Sequence, residues 1–133
     1  MSPKRLSGVK GATPMFATSI VRGTFDASGK KLVDGRDKEG INLRSYADAA
    51  IALGKKLNVD VVDMNTLTHD LLEKVGKDET MKFFIISTGL VKGKDGKPAK
   101  DVTHPVKAGA EAFAKLFLDD VKARKLPVAA LFQ

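Results

Sequence analysis

The chain predicts an α/β fold with a parallel sheet, on three observations. Two short apolar runs, 13–21 and 58–64, are continuous rather than alternating, as strands buried on both faces are. Helical periodicity lies between them and again after the second. Strands that alternate with helices in this way build layered α/β domains with parallel sheets. There is no internal repeat, and the predicted order is β-loop-α-β-α-loop-α.

The first strand takes Phe16, Ile20 and Val21 from TPMFATSIV and ends at Arg22 and Gly23. Ligands of open α/β sheets sit outside the carboxyl ends of strands, so Thr18, Ser19 and Arg22 are placed to border a site. A strand edge with one solvated arginine is an equal reading of the same residues. From Thr24 to Gly40 the chain is rich in Gly, Asp and Lys, with ASGK as a turn, and a surface loop with a small hairpin is expected. Asn42 is a suitable cap for a helix running to Leu57, with Leu43, Ala47, Ala50, Ile51 and Leu57 on one face and Tyr46 packing beside them. The second strand is built on Val59, Val61 and Val62. Thr66 or Asn65 then caps a helix with Leu67, Leu71 and Val75 on one side, which Gly76 ends. His69 lies off that line, beside Asp70, and is expected to be exposed. DETMKFF adds another turn or two of helix, and 84–87 reads as extended.

The polar, glycine-rich and basic stretch GLVKGKDGKPAK follows, and then KDVTHPVKAGAEAFAKLF. Pro105 suits a first helical position, because its missing N–H has no intrahelical partner there. Val106, Ala110, Phe113 and Phe117 recur at three- and four-residue spacing and predict one apolar helix face, to about Ala123. Pro127 stops further winding, and LPVAALFQ is expected to lie as an apolar tail over the fold.

That last helix holds in place a loop in which Asp101 stands three residues before His104. A carboxylate at one imidazole nitrogen fixes its tautomer and orientation, which is how a hydrolase prepares a general base. The competing reading is a histidine that caps a helix and an aspartate that is simply solvated. Spacing alone does not separate the two.

Composition bounds the rest. At 133 residues the chain has the length of one domain, 1–133, able to bury about two thirds of its unfolded surface. Hydrophobic residues at 43% and charged residues at 29% are ordinary for a globular protein. No apolar run approaches the roughly 20 residues that span a bilayer, so no membrane partner is expected. MSPKRLSGVKG has no apolar stretch behind its basic residues, so no signal peptide is expected here, and the compartment stays open. Without cysteine, and with only His69 and His104, neither a metal site nor a cofactor is expected. The net charge of +7 gathers at Lys4, Arg5 and Lys10, at Lys92, Lys94, Lys97 and Lys100, and at Lys122, Arg124 and Lys125. No recognition-helix pattern or aromatic-and-basic strand accompanies it, which argues against nucleic acid; attraction toward a uronic-acid polysaccharide is as plain a use.

Two strands and three good helices are too little sheet for a free-standing doubly wound domain. The residues that bear on this are LRSYADAAIALGKKLNVDVVDMNTLTHDLLEKVG, MKFF, DVTHPVKAGAEAFAKLF and, before them, TSIVRGTFDASGKKLVD. In that order they resemble the C-terminal half of rhamnogalacturonan acetylesterases, members of the SGNH (GDSL-like) hydrolases. The resemblance runs from about Gly11 to Phe132. It implies the C-terminal portion of a flavodoxin-like three-layer α/β/α fold with the N-terminal strands missing, and removal of acetyl esters from pectic polysaccharide. It makes His104 the general base and Asp101 its orienting acid, and puts Arg22 near the substrate cleft.

It also exposes what is lacking. Such enzymes carry their nucleophile in a GDS motif near the domain's start and oxyanion-hole glycine and asparagine residues in later loops. This sequence has neither GDS nor G-x-N-D, and Ser2, Ser7, Ser19, Ser45 and Ser87 occupy none of the expected contexts. The expectation is therefore a partial domain, inactive alone, with the serine supplied by an N-terminal half or a partner chain. Two rival expectations stand beside it. One is a non-catalytic module binding anionic polysaccharide or nucleic acid through the basic loop 92–100. The other is a structural subunit that completes a partner's sheet.

Overall fold

The computed structural model describes residues 11–33, 40 and 42–132. In chain order these form β1 (Met15–Ala17), α1 (Leu43–Leu57), β2 (Asp60–Val62), α2 (Met64–Val75), α3 (Lys77–Met81) and α4 (Lys107–Ala123), with 3-10 turns at Ile85–Ser87 and Pro127–Leu131. The two strands are parallel, Met15 opposite Asp60 and Ala17 opposite Val62, so the α/β class with a parallel sheet is the one observed. Both strands are shorter than the apolar runs that announce them. Each stops where a polar side chain takes over: the Thr18 hydroxyl accepts from the Asn65 N–H at 2.9 Å, and Asp63 becomes a helix cap.

Between the strands, Phe25 and Leu32 form an antiparallel bridge around the ASGK turn, the small hairpin expected there. The expected loop's remainder, 34–39, lies outside the described residues. In α1 the Asn42 side chain accepts from the Ser45 N–H at 2.9 Å, satisfying one of the free donors of the first turn. Gly54 lets α1 lie directly on β2, because a Cβ there would collide with the Val61 side chain and stand 3.0 Å from the Val59 carbonyl. Tyr46 does not pack as expected; it is 55% exposed.

The helix after β2 differs in two respects. Its cap is Asp63, not Asn65 or Thr66; the Asp63 carboxylate accepts from the Thr66 N–H at 3.2 Å. Because the helix therefore starts earlier, its buried line is Met64, Asn65, Thr68 and Leu72, while Leu67, Leu71 and Val75 are only half-buried. Thr68 is tolerated inside because its hydroxyl donates to the Met64 carbonyl at 2.7 Å. Gly76 ends the helix as expected, donating its N–H to Leu72 O at 3.0 Å.

Residues 84–87 are not a strand. Phe84 alone is extended, bridging antiparallel to Pro105, and the Ser87 hydroxyl reaches back to the Phe84 carbonyl at 2.8 Å to favour a turn. Pro105 is consequently held outside the helix, which begins two residues later with Val106 as its cap. The buried face of α4 is Gly109, Phe113 and Val121, with Ala112, Leu116 and Phe117 beside it; Ala110 faces out. Phe113 meets Phe83 and Phe84, and with Val62, Met64, Leu72 and Val121 makes the core. Each such side chain contributes about 1.5–3 kcal/mol by leaving water.

The tail covers this core as expected: Leu126, Val128 and Ala129 pack on it, and Phe132 meets Phe117 edge-on at 6.5 Å. The last helix also reaches the sheet. Val62 gives its carbonyl to β1, accepting from Thr18 N–H at 3.0 Å, and alternation along the strand turns the Val61 carbonyl the other way. There it accepts from Arg124 Nη1 at 2.7 Å. No helix among the described residues is long and apolar enough to cross a membrane.

Candidate active site

Backbone bonds on two sides hold the loop between the basic hairpin and α4. Ile86 N–H donates to Asp101 O at 2.9 Å, Ile85 N–H to His104 O at 3.0 Å, and Val106 N–H to Phe83 O at 2.9 Å. From the other side, Gly23 N–H donates to Val102 O at 2.8 Å. Gly109, one turn into α4, presses on this same corner: a Cβ there would collide with the Phe83 carbonyl.

Within the loop, Asp101 closes a tight turn on itself. Its Oδ1 accepts from the N–H of Thr103 at 2.8 Å and of His104 at 2.9 Å, and its Oδ2 meets His104 Nδ1 at 2.7 Å. The two backbone donors, His104 first, and then the imidazole hold the Asp101 carboxyl down at about 2. Near neutral pH Asp101 is therefore an acceptor only, and the proton of a neutral His104 ring belongs on Nδ1. Nε2 is left as the basic nitrogen. The Asp101 side chain is 23% exposed and that of His104 is 71% exposed, so the acid is anchored and the imidazole faces outward.

Asp101 and His104, paired on sequence spacing, are thus brought together. Arg22 is joined to their loop through its neighbour Gly23, but its side chain lines a different cavity, with Val21, Leu32, Val33, Arg44, Asn65, Thr66 and His69. Thr18 does not border a site; it is buried and bonded to Asp63 and Asn65. Ser45 donates to its helix cap Asn42 at 2.8 Å and Ser87 to Phe84 O at 2.8 Å. A sixth serine, Ser28, which the motif contexts pass over, donates to Asp26 at 2.6 Å in the ASGK turn. Among the described residues no serine is bonded to His104; Ser2 and Ser7 lie outside them, as do Lys4, Arg5 and Lys10. The basic loop is an exposed hairpin: Lys92 pairs with Pro98, and Lys94, Lys97 and Lys100 face solvent.

Sequence reasoning missed a polar network at the end of β2. Arg44 Nη1 meets both Asp63 oxygens, at 3.1 and 2.9 Å, and the Thr66 hydroxyl donates to Asp63 at 2.8 Å. Partial burial works against the Asp63 charge, but the Thr66 and Arg44 bonds outweigh it and its carboxyl lies below the usual range. The signal was present in the pair of an aspartate closing a strand and an arginine at the start of the helix before it. Asn65, next to the cap, was also passed over as anything but a cap. No group of three or more His, Cys, Asp or Glu able to hold a metal is found among the described residues.

Comparison with known proteins bears on this corner. Rhamnogalacturonan acetylesterase RhgT of Bacillus subtilis (strain 168) is 32% identical over 119 residues, which are 90% of this chain and 48% of that protein. The relatives are rhamnogalacturonan acetylesterases. A second, the probable rhamnogalacturonan acetylesterase YesY of the same strain, is 25% identical over 90% of this chain and 46% of its own length. The chain therefore resembles half of a rhamnogalacturonan acetylesterase-like SGNH hydrolase, and spans about half the length of the curated relatives it matches. A crystal structure of protein YXIM from Bacillus subtilis superposes with a TM-score of 0.65 over 92% of this chain and 29% of that one, at 22% identity. That match shows that this chain shares the fold of part of that protein. No protein-family model matches the chain.

Proposed function

We propose that this chain is the acid–base half of an SGNH-type carbohydrate acetylesterase that acts on acetylated pectic polysaccharide, with the serine nucleophile supplied by an N-terminal half or a partner chain. The observation that carries the reading is the 2.7 Å contact between Asp101 Oδ2 and His104 Nδ1, with the carboxylate anchored by two backbone amides. In this mechanism His104 Nε2 takes the proton from the serine as its oxygen attacks the acetyl carbonyl. The same nitrogen then protonates the departing sugar oxygen, and water repeats the sequence to release acetate. Asp101 keeps its charge throughout and stabilises the imidazolium. The oxyanion donors come with the serine-bearing half.

The test is hydrolysis of an activated acetate ester. The purified chain should do no better than free imidazole, since the triad works as a unit. Adding a GDS-bearing N-terminal half of such an esterase should give turnover that His104→Ala abolishes. Vigorous turnover by the chain alone, or complemented turnover indifferent to His104→Ala, sinks the assignment.

One observation favours a second reading. Lys92, Lys94, Lys97 and Lys100 stand exposed on one hairpin, as a non-catalytic module for an acidic polymer requires. On that reading charge reversal at Lys94 and Lys97 weakens polymer binding while His104→Ala does nothing.

A further inference from the structure

Gly23 and the Asp101–His104 pair meet across a single peptide plane. The Val102 carbonyl accepts from Gly23 N–H at 2.8 Å. The N–H of that same peptide unit, carried by Thr103, donates to Asp101 Oδ1 at 2.8 Å. A trans peptide unit is rigid and points its C=O and N–H in opposite directions, so fixing one fixes the other. Beyond it, Asp101 Oδ2 meets His104 Nδ1 at 2.7 Å. Four groups therefore stand in series: the Gly23 amide, the 102–103 peptide, the Asp101 carboxylate and the His104 ring. Hydrogen bonds in series polarise one another, so a bonded Val102 carbonyl makes Thr103 N–H the better donor.

The start of this series is held firmly. Gly23 is buried, and a Cβ on it would stand 2.8 Å from Phe84 Cε2 and 3.0 Å from Thr80 Cγ2. Both neighbours are fully buried. Phe84 packs on Phe113 with ring centroids 6.0 Å apart, and the Thr80 hydroxyl donates to Leu72 O at 3.3 Å. Close-packed groups of this kind do not retreat to admit a methyl. Two residues upstream, Val21 N–H donates to the buried Thr68 hydroxyl of α2 at 3.1 Å. The segment after β1 thus reaches the dyad loop from a place set by α2 and the core. The bonds from Ile86 and Ile85 go to the carbonyls of Asp101 and His104 at the turn's two ends; among the described residues Gly23 is what grips the peptide between them.

We propose that Gly23 is a positioning residue for His104, acting through the 102–103 peptide and the Asp101 carboxylate. Its lack of a side chain lets its amide come within reach of the Val102 carbonyl beneath Phe84 and Thr80. With the bond made, Thr103 N–H is aimed at Oδ1, and Oδ2 is left facing Nδ1. Without it the 102–103 plane is free to rotate, Asp101 loses an anchoring donor, and the imidazole loses the partner that fixes its tautomer. Gly23 itself touches no reacting atom. Its part in turnover rests on the esterase reading; its effect on the His104 ring does not.

The experiment reads the His104 ring nitrogens by magnetic resonance in the isotope-labelled chain at about pH 8, above the usual imidazole range. Wild type should carry the ring proton on Nδ1. Gly23→Ala should shift the ring toward the mixed tautomers of a free imidazole. In the complemented esterase assay its kcat should fall about tenfold to a hundredfold, with KM within about twofold, as a slightly misplaced base requires. Phe117→Leu, further along α4, is the comparison: it loosens the contact with Phe132 and lowers the melting temperature, while tautomer and kcat hold. Should Gly23→Ala not fold, a synthetic chain with glycolate in place of Gly23 decides by itself, since an ester oxygen removes the N–H and adds no bulk; it must show the same tautomer shift. A ring that keeps its proton on Nδ1 after either change overturns the proposal. So does an equal kcat loss in Phe117→Leu at an equal loss of melting temperature. A tautomer shift in a chain that never supports hydrolysis would keep the positioning role and discard the esterase. Turnover that needs His104 but ignores Gly23→Ala would do the reverse.

Discussion

The chain has two histidines, and each stands beside an aspartate, but only one pair is built. His69 meets Asp70 at 3.3 Å on the outer surface of α2, between adjacent residues, with the Asp70 side chain 73% exposed. His104 meets Asp101 at 2.7 Å, three residues apart, and Asp101 is 23% exposed with two backbone amides on its other oxygen. The loop that carries the second pair is bonded to residues 83–86 on one side and Gly23 on the other. Proximity of an acid to an imidazole is thus cheap on a helix surface. Orientation comes from anchoring the acid, and here the anchors are the backbone amides of Thr103 and of the imidazole's own residue.

If that contrast is functional, the largest difference lies in activity. In the complemented esterase assay, His104→Ala should lower turnover about 10⁴-fold or more, and Asp101→Asn about 10³–10⁴-fold by releasing the tautomer. His69→Ala in the same assay should stay within about twofold. Comparable losses at both histidines would erase the distinction.

Next in size is the packing that holds the corner. Gly109→Ala forces a methyl against the Phe83 carbonyl, so it should destabilise the fold by about 1–3 kcal/mol in denaturant unfolding. The equivalent Ala114→Ser on the exposed side of α4 should change it by less than about 0.5 kcal/mol.

A subtler effect is in acid. The Asp101 carboxyl titrates near 2 in the fold against an ordinary value of 3.8, so the folded state binds its proton less readily than the unfolded chain. Its stabilisation is complete above about pH 4 and drains away as pH falls toward about 2. Asp101→Asn keeps an oxygen for the two amides but cannot titrate. The variant's denaturation midpoint should therefore fall less steeply than the wild type's across that window. At the bottom of the scale, Asp70→Asn should shift stability by less than about 0.5 kcal/mol at neutral pH. A larger shift would mean the surface pair is anchored after all.

Much of this was legible because it is local. The Asn42 cap, the Gly76 stop and the D-x-x-H turn each depend on residues within four positions, and all three are found in place. What was misplaced depends on partners far along the chain. Pro105 follows a rule for first helical positions, yet its pairing with Phe84 holds it outside the helix. Leu67, Leu71 and Val75 have the right spacing for a buried face. The Asp63 cap moved the start of α2, and the core took Met64, Thr68 and Leu72. Asn65 was unreadable as a lining residue, since an unmet amide becomes visible only when the surrounding side chains are in position. Of the candidate site, the dyad came from spacing and the cavity around Arg22 did not.

The bond from Arg124 to the Val61 carbonyl has a directional consequence. It stoppers the rim of β2 with a side chain whose own helix is pinned into the core, so that rim cannot easily accept a newcomer. Among the described residues no strand runs along the far side of β1. Enlargement of this sheet is thereby steered one way, and a guest strand has a single address: alongside Met15–Ala17.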